Sequence, residues 1–303
     1  MTGGGLSTRR LRHLHDVMAG YVERGDVPGR VTLIARRGEV RLDAIGTKGV
    51  GSSEPVGHDT LFRISSMTKP MTAAATMILL EECKLRLDEP VDRLLPELAD
   101  REVLKRLESP LDDTVPAIRP ITVRDLLTFR MGFGAVLAEP GTYPIQQAVS
   151  DLLLGDGPPG PSIPPAPDEW IRRLESLPLI HQPGERWMYN TGSDVLGVLI
   201  ARAAGQPLET FLRERLFEPL GMRDTAFSVP AHDLVRLATS YSTNHETGAL
   251  DVYDEPDGQW SQPPAFPSAA GGLVSTIDDC LAFGQMMLHK GVTTASASSP
   301  GLQ

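Results

Sequence analysis

The chain has 303 residues, 41% hydrophobic and 22% charged, a composition that belongs to a folded globular protein and not to a disordered one. Its formal net charge of −10 speaks against nucleic acid as a partner, because phosphate binding needs a basic surface. No run reaches the about 18 apolar residues of a membrane span, and the first residues hold no apolar run of signal-peptide length, so a cytoplasmic protein is the expectation.

Residues 6–23 read as an amphipathic helix with Leu11, Leu14, Val17, Met18 and Tyr21 on one side. His13 and His15 are two apart, share no helix face and read as surface residues. Residues 31–35 and 40–45 are strand-like and are split by Arg37-Gly38-Glu39, a hairpin signal. After a polar loop at 46–59 comes Phe62-Arg63-Ile64-Ser65-Ser66-Met67-Thr68-Lys69-Pro70, a strand-like approach that runs into a helix over 71–80. Short helices and turns follow at 87–98, and a helix capped by Thr122 at 121–127. Residues 155–168 are rich in Pro and Gly; helical patterns on both sides make them a stiff surface loop of one fold and not a domain linker. Helices are expected at 170–177, 194–204 and 208–216, with an extended piece at 183–190 between the first two. Gly271-Gly272 precedes a helix over 276–288. Cys83 and Cys280 are too far apart in sequence for a disulfide framework or a zinc pattern and read as buried free thiols. Residues 291–303 have no periodicity and read as an unstructured tail.

Chemistry concentrates at Ser66. Lys69 stands three residues on, and positions i and i+3 share a helix face. At a helix start, free backbone N–H groups and the positive end of the dipole favour a developing oxyanion. A serine hydroxyl needs a base beside it, and a buried lysine with a lowered pKa can be that base. Tyr189 is the third candidate: near a lysine it can carry a proton between nucleophile and leaving group, and the alternative is a core tyrosine with a hydrogen-bonded hydroxyl. No Gly-x-Ser-x-Gly, His-Glu-x-x-His or glycine fingerprint for nucleotides is present. His289-Lys290-Gly291 reads as a helix C-cap. No metal or cofactor is expected.

The Ser66 segment resembles the nucleophile segment of the serine hydrolase family that contains class C β-lactamases, D-alanyl-D-alanine carboxypeptidases and family VIII carboxylesterases. Four further segments look like that family: Ile121-Thr122-Val123-Arg124-Asp125-Leu126-Leu127-Thr128, Pro183-Gly184-Glu185-Arg186-Trp187-Met188-Tyr189, Glu218-Pro219-Leu220-Gly221-Met222 and Gly271-Gly272-Leu273-Val274-Ser275-Thr276. The resemblance implies Ser66 as acyl-accepting nucleophile, Lys69 as proton acceptor and Tyr189 as proton shuttle. The Ser66 backbone N–H is the implied oxyanion donor, and the two-step reaction needs no cofactor. It also implies an α+β, β-lactamase-like fold, a helical subdomain packed on an antiparallel sheet with the site between them.

Two departures from the family pattern shape the expectation. The asparagine after Tyr189 stands one place early, as Asn190, which tilts the reading toward the esterase branch and a small ester substrate. Hydrolysis of β-lactams or D-alanyl peptides is the alternative within the family; an inactive fragment or a binding module is the alternative outside it. No third family motif, of the Lys-Thr-Gly, His-x-Gly or Trp-Gly-Gly kind, follows Lys290. Residues 1–290 are therefore expected as a hydrolase domain with an incomplete sheet, truncated at its C-terminal side. Residues 291–303 are then an unstructured or frame-shifted tail. The sequence leaves the oligomeric state open.

Overall fold

The computed structural model describes residues 5–155 and 157–292. Helix α1 (Thr8–Glu23) precedes an antiparallel ribbon of β1 (Gly29–Arg36) and β2 (Glu39–Gly46), in register from Gly29↔Gly46 to Arg36↔Glu39. The turn is the expected Arg37-Gly38; both residues have positive φ, 49° and 80°, as the tightest hairpin turns require. Strand β3 (Phe62–Arg63) leads through a 3-10 turn at Ser65–Met67 into α2 (Thr68–Glu81). A short hairpin, β4 (Glu102–Leu104) and β5 (Thr114–Pro116), is followed by α3 (Val123–Leu127), α4 (Pro144–Asp151), α5 (Pro167–Glu175), α6 (Thr191–Ala204) and α7 (Leu208–Leu212). A π-helical turn at Arg213–Phe217 joins α7 to α8 (Glu218–Leu220), so the single helix expected at 208–216 is split into an α-helical and a π-helical part and continues to Leu220. Strands β6 (Ser240–Thr243) and β7 (Leu250–Asp254) pair with each other, β8 (Val274–Ser275) pairs with β3, and α9 (Ile277–Leu288) follows.

The largest core lies among α2, α3, α5, α6 and α7, around fully buried Trp170, Phe211, Met71, Leu79 and Leu126. Burying each such side chain is worth about 1.5–3 kcal/mol. Helix α3 starts where the sequence suggests. Thr122 accepts from the Asp125 N–H while the Asp125 carboxylate accepts from the Thr122 N–H, a reciprocal cap. A second, smaller cluster holds Leu61, Val229, Leu237, Trp260 and Val274 and anchors the β3–β8 pair.

Among the described residues the strands form four separate two-stranded antiparallel ladders. The β1–β2 ribbon is packed by α1 and α9, yet neither α1 nor the ribbon contains a buried residue, and Val17 and Tyr21 are exposed. Cys83 corrects an expectation. It lies in the turn just past α2 with φ 57° and is exposed, because α2 ends at the surface there. Cys280 is half-buried. Of the 291–303 tail, only Gly291 and Val292 are described; the reading of residues 293–303 lies outside the described residues. No single described helix is long and apolar enough to cross a membrane.

Candidate active site

Ser66 is placed by a strand, a tight reversal and a helix. The β3–β8 register sets Phe62 against Ser275 and Arg63 against Val274, and the Ile64 N–H donates to the Leu273 carbonyl at 3.0 Å. Ser65 then turns the chain with φ 44°, an uncommon conformation for a residue with a side chain and one that clusters at functional sites. Ser66 emerges exposed in the 3-10 turn that runs directly into α2. Pro70 sits in the first turn of α2, where a missing N–H costs nothing. The helix is laced to the chain before β8. Thr72 Oγ1 donates to the Ala269 carbonyl at 2.8 Å, and Thr68 Oγ1 accepts from the Leu273 N–H at 3.3 Å.

The three residues singled out in the sequence meet. Lys69 Nζ donates to Ser66 Oγ at 3.0 Å and to the Ala270 carbonyl at 2.7 Å. The Tyr189 hydroxyl donates to Ser66 Oγ at 2.6 Å. The Lys69 nitrogen also stands 4.4 Å from the centroid of the Tyr189 ring, within cation–π range. The contact with Ser66 holds the Tyr189 phenol below its ordinary pKa; burial opposes it and the neighbouring Lys69 amine adds to it.

Tyr189 is held by its backbone. The Met188 N–H donates to the Phe129 carbonyl at 2.7 Å, and the Tyr189 carbonyl accepts from the Ala135 N–H at 2.8 Å. Asn190 has φ 81° and ψ −71°, and the Thr191 N–H reaches back to the Tyr189 carbonyl at 3.3 Å. This is a γ-turn of the rare, strained hand. It accounts for the early asparagine: asparagine tolerates positive φ better than most residues, and α6 begins one residue later. The exposed Trp187 ring stacks on Tyr189 at 5.6 Å, and Phe129 meets Trp187 edge-on at 5.9 Å.

Two features were missed in the sequence. Asp194, in the first turn of α6, is buried, and its carboxylate accepts from Ser268 Oγ at 2.8 Å and from the Ala270 N–H at 3.0 Å. Burial pushes its carboxyl up to about 6, against these hydrogen bonds and the field of Lys69. Its only signal in the sequence is an acid near a helix start. The second feature is a cavity of about 740 Å³ that opens at Ser66 and Tyr189. Val136, Ile145, Leu153, Ile163 and Phe266 make much of its wall, and the Pro/Gly loop, read as mere surface, closes one side with Pro158 and Pro159. Gly271 lets that loop approach, since a Cβ there would lie 2.7 Å from Pro159 Cγ. Among the described residues lining the cavity there is no Arg, Lys or His. Among the described residues no group of three His, Cys, Asp or Glu side chains is placed to hold a metal ion.

Residues 14–300 match the family model described as Beta-lactamase. An uncharacterized protein of Mycobacterium tuberculosis is 40% identical over 269 residues, which cover 88% of this chain and 64% of that protein. Esterase EstB of Burkholderia gladioli is 34% identical over 270 residues, 84% of this chain and 64% of its own length. The chain thus spans about 64% of the length of these curated relatives. The solved structure of EstCE1, described as a hydrolase with promiscuous acyltransferase activity, superposes with a TM-score of 0.78 at 27% identity and covers 93% of this chain and 73% of that one.

Proposed function

Because this chain belongs to the beta-lactamase family of serine hydrolases, we propose that it cleaves uncharged carboxylic esters through an acyl-enzyme on Ser66. The observation that carries this reading is the convergence of Lys69 Nζ and the Tyr189 hydroxyl on one oxygen, Ser66 Oγ. In the first step the Ser66 proton passes to the Lys69–Tyr189 pair as Oγ bonds to the ester carbonyl carbon. The carbonyl electrons move onto oxygen, toward the Ser66 backbone N–H. The tetrahedral species collapses, the alkoxide leaves with a proton from the pair, and the acyl group stays on Ser66. In the second step water gives a proton to the same pair and attacks the acyl carbon, which releases the acid and restores the serine.

The apolar wall of the cavity supports an uncharged ester as substrate. The cavity volume is in the range used by drug-sized ligands, so acyl groups larger than acetyl fit beside Ser66. The apolar wall also favours a second reading, in which an alcohol in place of water attacks the acyl-enzyme and a new ester leaves; the description of EstCE1 is in line with it.

Intact-mass measurement after exposure to a fluorophosphonate tests the core of the reading. One adduct is expected on the parent chain and none on Ser66→Ala. A panel of p-nitrophenyl esters from acetate to decanoate, run beside a chromogenic cephalosporin, then tests the substrate. Absence of the adduct would leave a chain that binds without catalysis, and faster turnover of the cephalosporin would overturn the ester assignment.

A further inference from the structure

The Asp194 carboxylate stands one residue away from the contact that holds Lys69. Its oxygen takes the Ala270 N–H and the Ser268 hydroxyl, and the Ala270 carbonyl takes the Lys69 ammonium or amine at 2.7 Å. The same short segment is held from α2 as well, by Thr72 Oγ1 on the Ala269 carbonyl. Gly197 lets α6 come this close, since a Cβ there would lie 2.7 Å from Ala269 Cβ. Buried carboxylates are expensive unless a cation or several donors satisfy them. Here the partners are a hydroxyl and backbone N–H groups, and the cation is Lys69, one residue further on.

We propose that Asp194 is a positioning residue for Lys69. It fixes the 268–270 segment so that the Ala270 carbonyl aims the lysine nitrogen at Ser66 Oγ, and its negative charge lies close to that nitrogen. This inference rests on Ser66 being the nucleophile. Helix α6 then supplies two parts of the site, since the chain enters it from Tyr189 and Asp194 lies in its first turn.

Charged groups on the elements around α6 are accounted for. From α2 the charge that reaches Asp194 is Lys69, itself against the titratable Tyr189. On α3, Asp125 pairs with Arg119 and Arg124 with Asp88. On α5, Glu169 pairs with Arg172 and Arg173, and Asp168 pairs with Arg202 of α6. Glu81 of α2, Glu175 of α5 and Glu209 of α7 are exposed. The raised value of Asp194 sets the sign: the carboxylate is charged above about pH 6 and neutral below it, so its pull on Lys69 fades on acidification.

The test is the rate of Ser66 labelling by a fluorophosphonate between about pH 5 and pH 9, read by intact mass. Wild type, Asp194→Asn, Asp194→Ala and Ser268→Ala are compared, with Ser66→Ala as the blank. Asp194→Asn keeps an acceptor but has no charge, and its acidic limb is expected to move down by roughly one pH unit. Asp194→Ala frees the segment and is expected to slow labelling by about 100-fold, the cost of misplacing a reacting group by about 1 Å. Ser268→Ala removes one donor to the carboxylate without emptying the core, and is expected to slow labelling severalfold while the limb stays within the wild-type range. A wild-type limb in Asp194→Asn together with a wild-type rate in Ser268→Ala would overturn the inference. So would an Asp194→Asn loss equal to that of Asp194→Ala with no movement of the limb, which is what a packing role alone produces. A wild type that takes no label would instead overturn the Ser66 reading.

Discussion

Gly134→Ala is the substitution that moves the site without removing any of its chemical groups. A Cβ at Gly134 would lie 2.6 Å from the Tyr189 carbonyl oxygen, 2.8 Å from Met188 Cβ and 2.9 Å from the Met188 carbonyl carbon. Ordinary contact begins at 3.4 Å, so the 188–189 backbone must retreat by about 0.8 Å, the difference between 3.4 Å and 2.6 Å. Carried in full to the ring and away from Ser66, that movement takes the Tyr189 hydroxyl from 2.6 Å to about 3.4 Å from Ser66 Oγ, outside the O–H···O hydrogen-bond range. A misplacement near 1 Å costs about 100-fold in rate, or about 2.7 kcal/mol of barrier. The overpacking itself is expected to cost about 1–3 kcal/mol of stability. The assay is kcat/KM for p-nitrophenyl butyrate at a temperature where both chains are folded by circular dichroism, with the thermal midpoint measured alongside. Wild-type kcat/KM in a folded Gly134→Ala chain would refute the reasoning, because it would mean that the 134–189 contact does not set the position of the phenol.

Ser66→Ala and Lys69→Ala are each expected to abolish ester turnover, and Tyr189→Phe to lower kcat by about 10²–10⁴, as loss of a proton-transfer group does; stopped assays on purified variants check this. Val149→Trp narrows the cavity from α4 and is expected to lower kcat/KM for decanoate far more than for acetate, which the ester panel reads directly. Asp125→Asn weakens the contacts of the cap with Arg119 and Thr122 and is expected to cost about 2 kcal/mol at neutral pH. Burial pushes the Asp125 carboxyl up, but Arg119 and Thr122 outweigh it and leave it below its usual value. Its contribution is therefore present above the unfolded value near pH 4 and fades as pH falls through the lower folded value, so denaturant midpoints of the two chains should converge on acidification.

What was legible in the sequence was local. Ser66 and Lys69 are three apart on one helical turn, so their contact follows from spacing. The Arg37-Gly38 turn and the Thr122 cap are likewise written in adjacent residues. Tyr189 came from a motif, and what brings it to Ser66 is a set of contacts with Phe129 and Ala135 that no spacing predicts. Asp194 escaped for the same reason, since its partners lie more than seventy residues on, at Ser268 and Ala270. The strands β3 and β8 have two residues each, too few for alternation to register. Cys83 was misjudged because free cysteines favour the interior, and nothing in the residues around it announces that α2 ends at the surface.

The lack of buried residues in the β1–β2 ribbon has a consequence for how the molecule opens. In α6 every residue from 192 to 200 is buried, whereas α1, β1 and β2 have none. Opening free energies follow such differences, and segments with little buried apolar surface exchange their amide hydrogens through partial excursions well below the global unfolding energy. Amides of 29–46 should therefore take up deuterium long before those of α6. Ser66 lies in the 3-10 turn before α2, Lys69 in the first turn of α2 and Tyr189 just before α6, on the slow-exchanging side of that divide. The chain can shed order at the ribbon while the serine, the lysine and the phenol keep their places.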